Sequence, residues 1–530
     1  MKINAQSMLY RTMVLSIANF IVRMLGFAYR VFLSRMIGPQ GMGLVQLVNP
    51  VFHIAITLTA SGIPIAVSRL IAEKNIKQDI LGMRRTMTVA LSLVTIISTT
   101  LTIIGLFNLD FISQVIVKDE RTKWALFIVF PCVIFIGLGA TLKGFFYGQK
   151  NIHPPALAEI IEQLTRMAVA ISLIFWFTPK DNFALAAVLV MLATVFGEIS
   201  SLLFLHTRYG SFKRDLRSQE KSNPHYIHKS LFKTDSIGKI ARSIAGITLP
   251  ITATRLINSL MLAANSILIP QRLMASGMIR EDAIGLLGIV SGMVMPLMFL
   301  PFTITNALTV VIIPNLSESM AMKRWEDIQD KINKAIHLTC IIAFPSTALL
   351  ASLGQPIGDL LYKQPLVGTF LIPLSYCLVF YAIQHTCSGI LNGLGKQTRA
   401  ALHFMIGSVI QLLCTFFLLA NPTIRIWGML VGFFLSALIV SIANLTTVMK
   451  TANMSFRLLE WILKPGFAAL LMGFFTTTIY RLLNSIGSPV LLSLIISTIL
   501  GFSLFLLCLW AINGMPTPIT IKNKKKHQKQ

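Results

Sequence analysis

Long runs of apolar residues alternate with short polar segments along the whole chain of 530 residues. A helix that spans a bilayer needs about 20 mainly apolar residues, and fourteen of these runs are long enough. They lie at 9–37, 44–72, 86–107, 123–147, 156–177, 183–206, 240–269, 283–313, 332–353, 366–392, 400–420, 425–449, 461–483 and 488–512. The pattern therefore predicts an all-α integral membrane protein with about 14 transmembrane helices.

The composition agrees with this class. Hydrophobic residues make up 55% of the chain and charged residues only 12%, which is typical of polytopic membrane proteins and not of soluble enzymes. The first apolar run is longer than the core of a signal peptide and contains arginines, so we expect no cleavable signal.

The net charge of +26 follows the membrane topology. If the N-terminus is cytoplasmic, 30 of the 46 Lys and Arg residues fall in cytoplasmic segments and 8 in outer segments. The positive-inside rule then predicts a multi-pass protein of the cell membrane with both termini in the cytoplasm. The basic loop 207–239 and the basic tail 514–530 indicate anionic membrane lipids as partners. We expect no nucleic-acid binding.

Arg23 and Arg255 are the strongest functional signal in the chain. Arg23 lies midway between Arg11 and Arg35, and Arg255 lies inside SIAGITLPITATRLINSLMLAANSILI, so both are expected near the bilayer midplane. A cation is costly at that depth and is retained mainly for function. Arg30 follows Arg23 by two helical turns and shares its face. Because guanidinium groups match phosphate oxygens, these three arginines predict an anion-binding site.

The fifth predicted span carries charges of both signs. Glu159, Glu162 and Arg166 share one helix face, and Glu162 and Arg166 form a favourable i,i+4 pair. In one interpretation this pair is structural and fixes the packing of the N-terminal lobe. In the other, the unpaired acid, Glu159 or the distant Glu198, takes up a proton or Na⁺ as a transporter resets. Lys143 is near a helix end and is expected to reach the headgroups.

Motifs for catalysis or metal binding are not found. The six cysteines fall inside apolar runs without paired spacing, and the histidines do not have the spacing of metal ligands. The sequence predicts a protein that is not an enzyme and that needs no cofactor or metal.

Two pairs of similar segments indicate an internal duplication. The helix ending AVSRLIAE at Glu73 recurs as VIIPNLSE at Glu318, 245 residues later, and GFFYGQK at Gly148 recurs as NGLGKQ at Gly395, 247 residues later. Six spans per repeat give two pseudo-symmetric six-helix lobes of the same topology. The predicted regions are an N-terminal lobe at 1–206, the loop 207–239, a C-terminal lobe at 240–450, two further helices within 451–513, and the tail 514–530.

Four segments carry a resemblance to a known family. They are NFIVRMLGFAYRVFLSRMIGPQGMG, SGIPIAVSRLIAE, LKGFFYGQKNIHPPALAEIIEQLTR and LPITATRLINSL. With them the chain resembles the polysaccharide transporters of the multidrug/oligosaccharidyl-lipid/polysaccharide (MOP) exporter superfamily, in particular those of sporulation, and is similar to the related lipid II flippases. The resemblance runs over nearly the whole chain.

The resemblance implies a MOP/MATE-like flippase for a lipid-linked cell-wall precursor of the lipid II type, acting in spore cortex peptidoglycan synthesis. The implied partners are a lipid-linked oligosaccharide diphosphate as substrate and proteins of cell-wall synthesis. The flippases carry further arginines at positions matching Tyr29, Phe52, His53 and Met295, which this sequence lacks. The diphosphate must therefore be held differently here.

Two other functions remain open from the residues. A multidrug/cation antiporter of the same superfamily would require an acidic midplane residue in the first span, and no aspartate lies in any predicted helix core. A membrane-embedded polymerase or ligase of cell-wall glycans would require a cluster of carboxylates on an outer loop, and the outer loops carry none. We expect a transporter that works by alternating access.

Overall fold

The fold was analysed in a computed structural model that describes residues 8–177, 182–222 and 235–515. Helices dominate these residues, and no β-strand occurs among them, which confirms the all-α prediction. The main helices are α1 (Met8–Ala60), α2 (Ile63–Ile76), α3 (Ile80–Phe107), α4 (Lys123–Gly148), α5 (His153–Phe177), α6 (Phe183–Ser222), α7 (Ile237–Ala275), α8 (Arg280–Leu287), α9 (Phe302–Ala321), α10 (Trp325–Tyr362), α11 (Pro365–Ser375), α12 (Cys377–Gly393), α13 (Gln397–Leu418), α14 (Trp427–Ala452), α15 (Lys464–Ser485) and α16 (Val490–Ala511).

Helix α1 contains a break that separates the first two predicted spans. Gly38 has φ 66° and ψ −178°, a conformation that glycine adopts without the steric penalty of a side chain. Pro39 follows it and offers no backbone N–H to continue the helix. A second interruption, at Ser61 and Gly62, separates α1 from α2. The second predicted span, 44–72, therefore consists of two helices.

Twelve helical segments within the described residues are long and apolar enough to cross a membrane, or thirteen if the bent pair α11 and α12 counts as one span. The bend between those two helices is 55°, within what the sequence predicts as one span at 366–392. The first segment, Ile17–Ile76, has 60 residues. At 1.5 Å per residue that is roughly three times the thickness of the hydrocarbon core, which is too long for one crossing. The break at Gly38 divides it into two crossings. The chain is a multi-pass membrane protein.

The internal duplication is visible in the helix ends. Three pairs of residues with a left-handed backbone are each 245 residues apart: Gln78 and Lys323, Lys118 and Lys363, and Lys150 and Gly395. The hydrogen bonds that close two of these ends also match. The Asp79 and Arg324 amides donate to residues five positions earlier at 2.9 and 3.1 Å, as do the Asn151 and Lys396 amides at 3.0 and 2.8 Å. The spacing agrees with the offset predicted from sequence.

The chain divides into two compact units. One comprises Met1–Met293 with Thr415–Ile426, and the other comprises Val294–Cys414 with Trp427–Gln530. In the first unit, buried apolar residues of α2, α3 and α4 form a core that includes Phe145. The Tyr209 ring packs edge-on against the Phe145 ring, with 5.0 Å between the ring centroids. In the second, α15 and α16 pack on α10 through buried residues that include Met472 and Phe505.

The predicted lobe boundaries stay a prediction. Helix α6 continues to Ser222, beyond the predicted end of the sixth span at 206. Residues 223–234 of the predicted basic loop and residues 516–530 of the predicted tail lie outside the described residues.

Candidate functional site

Arg23 and Arg30 lie on the first segment of α1, ahead of the Gly38 break, and both side chains are exposed. Arg23 makes no hydrogen bond or ion pair to any residue that the structure describes. Arg30 does interact with neighbouring groups, and its charge acts on the His53 ring from the segment after the break. The two arginines therefore have different surroundings, although their helical spacing puts them on one face.

Arg255 lies on α7 and contacts the break between α1 and α2. Its Nη1 atom donates a hydrogen bond of 3.0 Å to the backbone carbonyl oxygen of Ser61. Carbonyl groups at a helix end have no partner within their own helix, so the guanidinium satisfies an acceptor that the break exposes. The side chain as a whole is still exposed. Arg255 is thus anchored through one N–H while the others remain available to a ligand.

Hydroxyl groups extend this contact along α1 and α7. The Ser61 and Thr252 hydroxyl oxygens are 3.1 Å apart, and those of Thr57 and Ser259 are 2.8 Å apart. Hydrogen bonds of this kind help to hold helices together within a bilayer. They fix the register of α7 against the break and with it the position of the Arg255 side chain.

Gly62 allows the two helices to approach closely. A Cβ atom at this position would lie 2.7 Å from the Thr248 carbonyl oxygen and 2.9 Å from its Cα atom. Both atoms belong to the backbone of α7, so they cannot move aside as a flexible side chain would. The hydrogen bond from Arg255 to Ser61 depends on this close approach.

A second group of charges lies between α4, α5 and α6, and we call it the Arg166 cluster: Lys143, Glu159, Glu162, Arg166 and Glu198. The Arg166 Nη2 atom is 2.5 Å from Glu162 Oε1 and 3.5 Å from Glu198 Oε1. The Lys143 Nζ atom is 3.7 Å from carboxylate oxygens of both Glu159 and Glu162. All five side chains are largely buried, with exposed fractions between 16% and 30%.

These contacts confirm one expectation from sequence and correct two others. The i,i+4 pair of Glu162 and Arg166 is confirmed. The expectation that Glu159 or Glu198 would lack a cationic partner is wrong, because Glu159 faces Lys143 and Glu198 faces Arg166. Glu198 is distant in sequence, but the packing of α6 on α5 brings it to Arg166. Lys143 does not reach for the headgroups, since its ammonium group lies beside two carboxylates.

Tyr29 is a member of this region that the sequence did not single out. Its side chain is 7% exposed, and its hydroxyl group has no hydrogen-bond partner among the described residues. The Arg166 charge acts on that hydroxyl, which places it beside the cluster. The only hint in the sequence was that related flippases carry arginine at this position.

Comparison with known proteins supports the family expected from sequence. A family model described as polysaccharide biosynthesis protein matches residues 9–320, and one described as lipid II flippase MurJ matches residues 295–382. The chain is 26% identical to stage V sporulation protein B of Bacillus subtilis (strain 168) over 481 residues, which cover 90% of each protein.

Two solved structures have a similar fold. Lipid II flippase MurJ in an inward closed conformation matches with a TM-score of 0.67 and 16% identity, covering 94% of this chain and 98% of that one. An inward-facing multidrug resistance MATE family transporter of the MOP superfamily matches with a TM-score of 0.64 and 16% identity, covering 82% of this chain and 100% of that one. At this identity the likeness shows the fold alone, and it confirms the predicted MOP/MATE-like class.

Proposed function

Because the chain belongs to the polysaccharide biosynthesis protein family, we propose that it flips a lipid-linked oligosaccharide diphosphate, a precursor of cell-wall polymers, across the membrane. The names of its relatives support this substrate class, since they include a sporulation protein and a model for lipid II flippases. The observation that carries the proposal is the exposure of Arg23 and Arg255 on helices whose remaining residues are mainly apolar.

Arg23, Arg30 and Arg255 bind the diphosphate in this proposal. A diphosphate offers several oxygens, and each guanidinium can donate two parallel hydrogen bonds to them. Arg255 keeps one N–H on the Ser61 carbonyl oxygen and uses the others for phosphate. The binding group is then held by the same contact that fixes the break between α1 and α2. The arginines hold the diphosphate of the head group while the lipid tail stays in the bilayer.

Transport proceeds by alternating access of the two predicted lobes, 1–206 and 240–450, with both termini in the cytoplasm. The likeness to stage V sporulation protein B supports a role in spore cortex peptidoglycan synthesis. Anionic lipids at the basic cytoplasmic segments and proteins of cell-wall synthesis are the other partners that we propose. The reaction moves the substrate without changing a covalent bond, so no catalytic residue is assigned.

Binding of a fluorescent lipid II analogue to the purified protein in nanodiscs tests the assignment. Arg23→Ala and Arg255→Ala should each lose about 1.5–3 kcal/mol, the usual worth of a hydrogen bond to a charged group, which weakens binding roughly ten- to a hundredfold. Arg255→Lys should fall between, because lysine keeps the charge but not the planar geometry. The same lipid without its diphosphate should bind equally weakly to all variants.

Two matched controls separate binding from structure. Arg272 is on the same helix as Arg255 but stacks 4.0 Å above the Phe416 ring, so Arg272→Ala should bind like the wild type. Thr252→Val removes the hydroxyl contact to Ser61 without removing a cation, and it should also retain binding. Wild-type affinity for the lipid II analogue in both Arg23→Ala and Arg255→Ala would contradict the assignment of these arginines to the diphosphate site. A loss of affinity in Thr252→Val equal to that in Arg255→Ala would show that Arg255 acts by stabilising the helix break and not by binding the diphosphate.

A further inference from the structure

The Arg166 cluster carries an unbalanced charge inside the membrane domain. With every group ionised, the three carboxylates of Glu159, Glu162 and Glu198 form ion pairs with two cations of the described residues, Lys143 and Arg166. The sum is one net negative charge on largely buried side chains. An uncompensated charge in such a place is costly and is usually neutralised. One more positive charge would balance the cluster.

The geometry indicates where that charge binds. Glu162 and Glu198 both place Oε1 on the same Nη2 atom of Arg166, at 2.5 and 3.5 Å. The two carboxylate oxygens are therefore no more than about 6 Å apart. Two ionised carboxylates at this separation repel one another, and they have only acceptors. A proton on one of them removes the repulsion and supplies a hydrogen-bond donor.

Tyr29 is an independent observation at the same place. Its hydroxyl group is buried on α1 beside Arg166 and has no partner among the described residues. The Arg166 Nε atom is likewise buried without a partner there. A phenol can both donate and accept a hydrogen bond, so Tyr29 adds a buried polar group within electrostatic range of Arg166. Two other polar groups adjoin the cluster. The Gln163 Oε1 atom accepts a hydrogen bond of 3.4 Å from Arg166 Nη1, and the Cys132 thiol of α4 lies within electrostatic range of both carboxyls and of Arg166.

We propose that the Arg166 cluster is a proton-binding site that holds one proton between the carboxyl groups of Glu162 and Glu198. An O–H bond forms on one carboxylate, no electrons are exchanged, and the bound cluster is neutral. A sodium ion fits less well, because the guanidinium and ammonium groups already approach the oxygens that it would need. Under the proposed function, uptake and release of this proton accompany the return of the transporter to its starting conformation.

The site deepens the proposed function but can be tested without any substrate. Infrared spectroscopy of the purified protein in lipid detects the C=O stretch of a protonated carboxyl group, which shifts in D₂O. We expect the wild type to show such a band that titrates away as pD rises. Glu198→Gln and Glu162→Gln should each lose it. Glu73→Gln should retain it, because Glu73 is an exposed carboxylate paired with Lys77 on the surface.

Glu159→Gln tests whether the total charge of the cluster, and not only the contact between Glu162 and Glu198, sets the pD at which the proton is released. Glu159 contacts Lys143 and makes no ion pair with Arg166, yet its neutralisation leaves two carboxylates facing two cations. The band should then titrate away about one pD unit or more lower than in the wild type, since a nearby like charge has been removed. Lys143→Met should shift the titration in the opposite direction.

Three outcomes would overturn the proton site. One is the lack of a protonated carboxyl band in the wild type at any pD from 5 to 9. Another is an unchanged band in both Glu162→Gln and Glu198→Gln. The third is loss of the band when NaCl replaces choline chloride at constant pD, which would assign the site to sodium. If the band behaves as expected but lipid II analogues neither bind nor flip, the proton site stands and the proposed substrate is wrong.

Discussion

The replacement Arg166→Met tests the energetic role of the Arg166 cluster. Methionine has a similar length and no charge, so Glu162 and Glu198 lose the guanidinium that contacts both of them. Three carboxylates would then face Lys143 alone. Removing one partner of a buried ion pair typically costs about 3–5 kcal/mol. We expect a loss in the free energy of unfolding toward the lower end of that range, because the cluster can take up a further proton.

The double variant Glu162→Gln/Arg166→Met should recover part of this loss. It removes one charge of each sign and so restores the wild-type balance of the cluster, with Lys143 still beside Glu159. We expect an interaction energy between the two positions of about 0.5–3 kcal/mol, as for other residues in direct contact. The measurement is reversible unfolding in mixed micelles by steric trapping, with the amount of inserted protein determined in parallel.

A surface pair of the same spacing serves as the control. Lys77 and Glu73 are also four residues apart, 2.8 Å from N to O, with side chains that are 67% and 58% exposed. Lys77→Met should change stability by no more than about 0.5–1 kcal/mol, since exposed pairs contribute little. The reasoning is refuted if Arg166→Met is as stable as the wild type, or if the double variant is as unstable as the single one.

Three further predictions concern other parts of the chain. Gly62→Ala should lose about 1–3 kcal/mol of stability, because the added Cβ pushes α7 away from the helix break. Gly246→Ala is the control and should keep its stability, since no atom lies within 4 Å of its added Cβ. The melting temperatures of both variants test this prediction. Hydrogen bonds from Lys239 and Lys74 lower the pKa of the Asp235 carboxyl from 3.8 to about 2. The ionised form therefore stabilises the fold at neutral pH. The wild type should resist protease better than Asp235→Asn at neutral pH, and this difference should disappear as pH falls from about 4 to 2. Maleimide added to sealed cells should label a single cysteine introduced at position 181 but not one at 222 or 527. Positions 181 and 527 lie outside the described residues. Labelling at 222 would contradict the predicted cytoplasmic location of both termini.

Much of the fold follows from local features of the sequence. Apolar runs of about 20 residues predict the spans. The gap between the predicted spans 9–37 and 44–72 coincides with the break in α1, where Gly38 and Pro39 disfavour a continuous helix. The repeat was predicted from two pairs of segments and reappears in the helix ends. The bend between α11 and α12 was not predicted, since Pro373 lies within one apolar run and proline alone does not determine whether a span bends.

The candidate site was less predictable, and the reason is physical. Glu162 and Arg166 are four residues apart on one helix, so their contact is set by helical geometry alone. The contacts of Arg166 with Glu198 and of Arg255 with Ser61 join residues 32 and 194 positions apart. They depend on how helices pack against one another, which the spacing of residues along a single sequence does not determine. Lys143 was misjudged for the same reason.

Transbilayer movement of a fluorescent lipid II analogue in proteoliposomes tests the central claim most directly. The purified protein should accelerate the loss of fluorescence to an external quencher well above the rate in protein-free vesicles. Arg255→Ala should abolish this acceleration, and Arg272→Ala should retain it. Movement no faster than in protein-free vesicles, with correctly folded and inserted protein, would contradict the proposed function. Wild-type rates in both Arg23→Ala and Arg255→Ala would contradict the assignment of the diphosphate site.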